Sequence, residues 1–385
     1  MERRPLELYI HIPFCVRKCA YCDFLSAPAT DYAIKAYVQQ LIQEITVQSV
    51  FYKEYGVTSI FFGGGTPSIL QAEDIRAVMW AVQDHFYVEK DAEVTIEANP
   101  GTVSLLKLQI YRASGINRIS IGLQSADDEE LKALGRIHSY EGFLKTYEKV
   151  RQAGFSNVNI DLMSALPGQT LDSWKSTLRK VLMLRPEHIS AYSLIIEEGT
   201  AFYQRYHNHA ELLPDEDTER EMYYETKSIL HKHGYERYEI SNYARPGFEC
   251  RHNVGYWTGR EYLGLGLGAS SYVQGVRFHN EADLDKYERI QMEGIDAEEE
   301  LHQDVTRLSE KEKMEEFMFL GLRMVKGVSG SEFFARFGQN MWNVYGSVLN
   351  QLKEEGLVII EMPDVRLSEY GIDVSNYVLS QFLLD

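Results

Sequence analysis

Tyr9-Ile10-His11-Ile12-Pro13-Phe14-Cys15-Val16-Arg17-Lys18-Cys19-Ala20-Tyr21-Cys22-Asp23-Phe24 holds three of the chain's four cysteines, in a C-x3-C-x2-C spacing. Three thiolates this close on one loop can each ligate an iron of a [4Fe–4S] cluster, which normally takes four cysteines. A three-cysteine loop leaves one iron open, and an open metal position is where chemistry happens. The rival readings are a structural zinc, with His11 or Cys250 as fourth ligand, or three reduced surface thiols. A bare C-x3-C favours the rivals. The second gap of two, with Tyr21 immediately before Cys22, favours the cluster.

Outward from this loop, strand and helix alternate. Leu8 to Ile12 reads as a short strand closed by Pro13. Asp31 is placed to cap a helix with Ile34, Tyr37, Val38, Leu41, Ile42 and Ile45 on one face. Val57 to Phe62 reads as a buried strand running into Gly63-Gly64-Gly65-Thr66-Pro67. The next helix turns Ile75, Val78, Met79, Val82 and Phe86 inward. Strands at 93–97, 118–122, 157–162 and 188–194 alternate with helices at 103–113, 140–153 and 171–184. Six such units with short connections predict an α/β class with a parallel sheet and right-handed crossovers. Periodicity leaves both an open doubly wound sheet and a curved partial barrel open. Segment 196–300 is less regular, with a helix near 218–233, the run Cys250 to Trp257 and a glycine-rich stretch at 264–268. From about Ser309, helices at 310–323 and 341–355 and short strands at 357–360 and 365–367 suggest a small winged-helix-like α+β unit.

Composition narrows the function. The chain has 385 residues, enough for one large domain and a smaller one, and 25% of them are charged. No apolar run is long enough to span a bilayer. The N-terminus lacks the apolar core of a signal peptide, so export is not expected. Three crowded cysteines suit a metal centre in a reducing compartment, and the expected location is the cytoplasm. A formal net charge of −18 repels nucleic acid, so none is expected as a partner.

The C-x3-C-x2-C loop resembles that of the radical S-adenosylmethionine (SAM) superfamily, and Tyr-Ile-His-Ile-Pro-Phe-Cys is similar to the oxygen-independent coproporphyrinogen III oxidase group. This resemblance implies a partial (β/α)6 barrel, with reactive groups at the C-terminal ends of the strands. It implies Cys15, Cys19 and Cys22 as cluster ligands and SAM on the open iron. Gly64, Gly65 and Thr66 match the motif that meets the SAM amino group, and glycines let backbone approach a ligand closely. Glu97 matches a ribose-binding carboxylate, which has acceptors for two hydroxyls. Gln124, Asp161, Arg136 and Tyr9 match further positions of the group, and Tyr21 is placed to shield the cluster. Each taken singly has a plainer reading: a capping amide, a buried ion pair, a surface arginine. His138 reads as a local hydrogen-bonding residue.

Departures separate the branches of the group. Its oxidases carry a further cysteine two residues after the third, where this chain has Phe24. A phenyl ring cannot do thiol chemistry. Its haem-chaperone members have an aromatic there and carry H-N-x-x-Y-W, present as His252 to Trp257. The resemblance therefore implies a haem chaperone with a [4Fe–4S] cluster, SAM and haem as cofactors. The alternative is oxidative decarboxylation of coproporphyrinogen III. His252 is the expected haem ligand, with Cys250 and Tyr256 as alternatives; the plainer reading is that the motif braces a junction. Expected partners are haem-accepting apoproteins and an electron donor for the cluster, with a homodimer and a transient membrane-protein acceptor left open. The expected segments are a barrel at 1–200, an extension at 201–300 and a C-terminal unit at 301–385.

Overall fold

The computed structural model describes residues 3–384. Six parallel strands, β1 (Arg4–Ile12), β2 (Tyr55–Gly64), β3 (Val88–Ala98), β4 (Arg118–Gln124), β5 (Val158–Ser164) and β6 (His188–Ser193), lie side by side in chain order. The crossovers contain α1 (Asp31–Gln48), α2 (Ala72–His85), α3 (Leu105–Ala113), α4 (Asp128–Ala133), α5 (Tyr140–Gln152) and α6 (Leu171–Leu184). This is the expected partial barrel, and its strand order runs openly from β1 to β6. The cap of α1 differs from expectation. Thr30 accepts from the Ala33 amide, and Asp31 is the first helical residue, where its charge favours the helix N-terminus.

Segment 196–300 is more regular than its sequence suggests. After α7 (Ala201–Tyr206) and α8 (Glu216–Lys232) come β7 (Glu236–Arg237) and β8 (Asn242–Ala244), and β8 pairs antiparallel with β6. Then α9 (Arg251–Trp257) leads into β9 (Tyr262–Leu265), which pairs parallel with β1. Strands β10 (Ser270–Val273), β11 (Val276–Asn280) and β12 (His302–Arg307), with α10 (Leu284–Tyr287) and α11 (Ala297–Leu301) before β12, complete a twelve-stranded sheet. Strands β7 and β8 are only two and three residues long, and β12, His-Gln-Asp-Val-Thr-Arg, buries no side chain fully and so shows no apolar alternation.

The C-terminal unit has α12 (Glu310–Gly321), α13 (Gly330–Phe337) and α14 (Met341–Glu354). A hairpin of β13 (Val358–Glu361) and β14 (Asp364–Leu367) follows, then α15 (Glu369–Asp373) and α16 (Ser375–Ser380). It has its own apolar core around Met318, Phe333, Tyr345 and Phe382. A capping box of Ser309 and Glu312 starts α12.

The barrel strands are apolar outward and polar inward. On β1, Leu6, Leu8, Ile10 and Ile12 are fully buried in one core with Tyr37, Leu41 and Ile45 of α1. The alternate residues Glu7, Tyr9 and His11 face the lumen, as a period of two requires. The same alternation places Glu93, Thr95 and Glu97 of β3, Arg118 and Ser120 of β4, and Asn159 and Asp161 of β5 inside. Helix α9 closes the N-terminal end of this lumen: the His252 amide donates to Glu93 (3.3 Å), and its ring meets Ser59 Oγ (2.8 Å).

Buried Glu44 of α1 ties the barrel to its extension. Its carboxyl accepts from Tyr287 Oη (2.5 Å), Asn280 Nδ2 (2.7 Å) and the Gly266 amide (3.0 Å). Burial pushes its carboxyl up to about 7. A folded-state value above the unfolded 4.5 means that its stabilisation is full below pH 4.5 and is lost as pH rises through 7. Melting temperatures measured across this window should therefore fall less steeply with pH in Glu44→Gln than in the wild type. Glu44→Ala, which strands three buried donors, should lose about 3 kcal/mol or more.

Candidate functional site

Two loops at the C-terminal ends of β1 and β2 are stitched together by their backbones. The Gly65 amide donates to Ile12 O (2.8 Å) and the Thr66 amide to Phe14 O (2.7 Å). A Cβ on Gly65 would stand 2.5 Å from Phe14 O, and one on Gly64, at φ +108°, 2.5 Å from the His11 ring. Only glycine permits this approach. The cysteine loop is thereby pressed against the end of the barrel.

The loops border a cavity of about 420 Å³ at the C-terminal ends of the strands. Cys15, Cys19, Cys22, Tyr21, Gly64, Gly65, Thr66, Glu97, Gln124, Arg136 and Asp161 all line it. Arg136 donates to Asn99 Oδ1 (2.6 Å) and Gly122 O (2.5 Å), and its other amino group lies 3.6 Å from Cys19 Sγ. Asn99 Nδ2 in turn donates to Thr66 Oγ1 (2.8 Å). This chain joins the cysteine loop to the glycine loop. Asn99 was legible only as the neighbour of Glu97, because its role depends on three segments meeting.

Opposite the cysteines, Asp161 accepts from Ser120 Oγ (2.7 Å) and Asn159 Nδ2 (2.7 Å). Burial, with Asp161 beside it, pushes the Glu97 carboxyl up to about 8, although the Gly64 amide donates to it. Asp161 is also pushed upward, chiefly by burial. Gln124 ends β4 at φ +72°, where the β4–β5 register shifts. A bulge of this kind re-aims a side chain, here into the cavity. Ser120, Met163 and Tyr192 line the same cavity; no motif marked them.

The donor set fits an iron–sulfur cluster. Three sulfurs line one cavity, and a guanidinium stands beside one of them to offset thiolate charge. The fourth ligands proposed for a zinc are committed elsewhere. His11 donates from Nε2 to Leu25 O (2.9 Å), and its Nδ1 meets Tyr9 Oη (3.1 Å). Cys250 is fully buried with its Sγ 3.5 Å from Glu93 Oε1. Among the described residues, no three His, Cys, Asp or Glu side chains converge on a point for one ion. The carboxylates, the amide and the glycine backbone fit a small ligand with amino and hydroxyl donors, as SAM has.

Two expected residues lie apart from this cavity. Tyr9 stacks on Phe61 in the lumen and meets His11 Nδ1 (3.1 Å), and neither Tyr9 nor His11 lines this cavity. His252 is buried, with Nδ1 held by Ser59 Oγ (2.8 Å) and Nε2 by Tyr256 Oη (3.0 Å). It stacks on Phe61, and burial lowers its pKa to about 3. In this arrangement His252 braces α9 and offers no free ring nitrogen to a haem iron. His138 makes only a local contact, 3.3 Å to Leu123 O.

The description "Radical SAM superfamily" fits residues 9–181, and "HemN C-terminal domain" fits residues 308–374. The heme chaperone HemW of Lactococcus lactis is 37% identical over 385 residues, covering 100% of this chain and 99% of that protein. HemW of Bacillus subtilis is 36% identical over 377 residues, covering 97% and 98%. The solved structure of Escherichia coli coproporphyrinogen III oxidase (HemN), a radical SAM enzyme, superposes with a TM-score of 0.86 at 25% identity. It covers 99% of this chain and 90% of that one. Among the described residues no helix is long and apolar enough to cross a membrane. With this cavity, this sheet order and relatives matched from end to end, the chain belongs to the radical SAM superfamily, in the coproporphyrinogen III oxidase-like group that includes the HemW proteins.

Proposed function

We propose that the protein is a haem chaperone that carries a [4Fe–4S] cluster on Cys15, Cys19 and Cys22, binds SAM in the adjoining cavity and delivers haem to acceptor apoproteins. The observation that carries this reading is Phe24. It lines the cluster cavity, 62% exposed, at the position where oxidases of the group present a cysteine. A side chain without an ionisable hydrogen cannot relay a proton or a thiyl radical to a substrate. The names of the end-to-end relatives agree.

When bound, the cluster and SAM together supply one-electron chemistry at an open iron. The chain's own contribution is binding and orientation. Arg136 holds Cys19 and Asn99, the glycine loop offers backbone, and Glu97 and Asp161 accept hydroxyl or amino hydrogens. We assign the barrel to 1–200; the extension, expected at 201–300, runs on through β12 to Arg307, and the C-terminal unit begins at the Ser309 cap. A reducing cytoplasm suits the three thiols, and an electron donor would serve the cluster. A second copy of the chain and a membrane-bound haem acceptor are consistent partners.

Alanine at Cys15, Cys19 or Cys22 should abolish the broad iron–sulfur absorbance after anaerobic reconstitution, while Cys250→Ala retains it. Loss confined to Cys250→Ala would sink the ligand assignment. Glu97→Ala should weaken SAM roughly tenfold or more, since hydrogen bonds to a charged group contribute about 1.5–3 kcal/mol. The pH dependence has a defined sign. The ionised carboxylate is the better acceptor, so SAM affinity should rise as pH increases toward 8 and then level off. Titration calorimetry should show that Glu97→Gln removes this part of the slope. Function is tested by anaerobic incubation with SAM, a reductant and coproporphyrinogen III, followed by chromatography. The expected result is bound haem and no decarboxylation. Protoporphyrinogen formed with matching 5′-deoxyadenosine would establish the oxidase instead.

A further inference from the structure

A second cavity, of about 770 Å³, opens where the barrel edge meets the C-terminal unit. Its walls come from β1, the end of α9, β9 to β11 and α12. Six of its side chains are aromatic: Tyr9, Tyr256, Trp257, Tyr262, Tyr272 and Phe319. Tyr256 and Tyr262 meet edge to face with ring centroids 4.6 Å apart. Two guanidinium groups, Arg260 and Arg277, stand among these rings with one carboxylate, Glu316. Arg277 pairs with Glu316 (2.8 Å) and lies over the Tyr272 ring, and Arg260 lies 3.7 Å from buried Glu7.

This chemistry selects a ligand with a broad flat apolar body and anionic groups at its edge. We propose that this aromatic cavity is the haem seat, taking the tetrapyrrole plane between the tyrosine and tryptophan rings and its carboxylates at Arg260 and Arg277. The inference rests on the haem-chaperone reading and gives it a place. The volume falls in the range of cofactor pockets, and planar guanidinium groups are matched to carboxylates. A cavity of about 1100 Å³ near the N-terminal end of the barrel is the rival. Arg237, Arg251, Lys326 and Arg366 line it beside Glu93 and Glu249, Arg260 lines both cavities, and the rival has one aromatic ring besides Tyr238, that of Phe248. The haem seat shares a wall with the cluster cavity. Leu25 lines the one and Phe24 the other, and His11 holds the Leu25 carbonyl between them.

The test is titration of the full-length, reconstituted protein with hemin, metal-free protoporphyrin IX and hemin dimethyl ester. Soret shifts and tryptophan quenching give the affinities. Ser270→Trp fills the cavity from an exposed position, and Arg277→Gln removes one anchor. Both should weaken hemin and protoporphyrin IX at least tenfold while leaving the melting temperature and cluster absorbance intact. The dimethyl ester should be insensitive to Arg277→Gln. Arg366→Gln, in the rival cavity, should change nothing. Unchanged hemin affinity in Ser270→Trp and Arg277→Gln would overturn the assignment, as would a loss confined to Arg366→Gln. No hemin binding by the wild-type chain would instead overturn the haem-chaperone reading, and this inference with it.

Discussion

Each barrel strand buries apolar residues against the outer helices and polar residues in the lumen. The rest of the molecule follows from that alternation. The outer face supplies the burial that holds the barrel together, at about 25 cal/mol for each Å² removed from water. The inner face then has to be satisfied, because an unpaired buried polar group costs about 1–3 kcal/mol. Asn159 does much of this, donating to Asp161 (2.7 Å) and Ser120 (2.7 Å) and meeting His188 Nδ1 (2.6 Å). His188 continues to Tyr238 Oη (2.9 Å), which accepts from the Cys250 amide (3.3 Å). A polar path thus runs from Asp161 to the start of α9.

Helix α9 is needed for the same reason. The lumen ends in Glu7, Ser59 and Glu93, and α9 brings His252 and Cys250 to meet them. The pairing is incomplete. Both oxygens of Glu7 lack a hydrogen-bond partner, and burial pushes that carboxyl up to about 8 against the opposing charge of Arg260. The H-N-x-x-Y-W run is therefore part of the barrel's closure. Its first residue faces the lumen, and its last two line the aromatic cavity.

At the other end of the barrel, the cysteine and glycine loops are tied together. Backbone hydrogen bonds from Gly65 and Thr66, and the Cys19–Arg136–Asn99–Thr66 chain, hold the cysteine loop from two sides. The same loop borders both cavities.

The sequence by itself determined a great deal. The C-x3-C-x2-C loop, the glycine run and the strand-end positions of Glu97, Gln124 and Asp161 were legible because each is a local pattern in a regular βα series. The six barrel strands were legible for the same reason. Only the tertiary structure decided the rest. Strands β7 to β12 lack the regular apolar alternation of the βα series, and the pairing of β9 with β1 and of β8 with β6 depends on partners far along the chain. Thr30 rather than Asp31 caps α1, because capping depends on the turn's geometry and both residue types can serve. His252 is attractive as a ligand in sequence, yet folding spends both its nitrogens on Ser59 and Tyr256. The aromatic cavity has no sequence signature at all. Its walls are drawn from strands, a helix end and the C-terminal unit, and they become one surface only when the chain closes on itself.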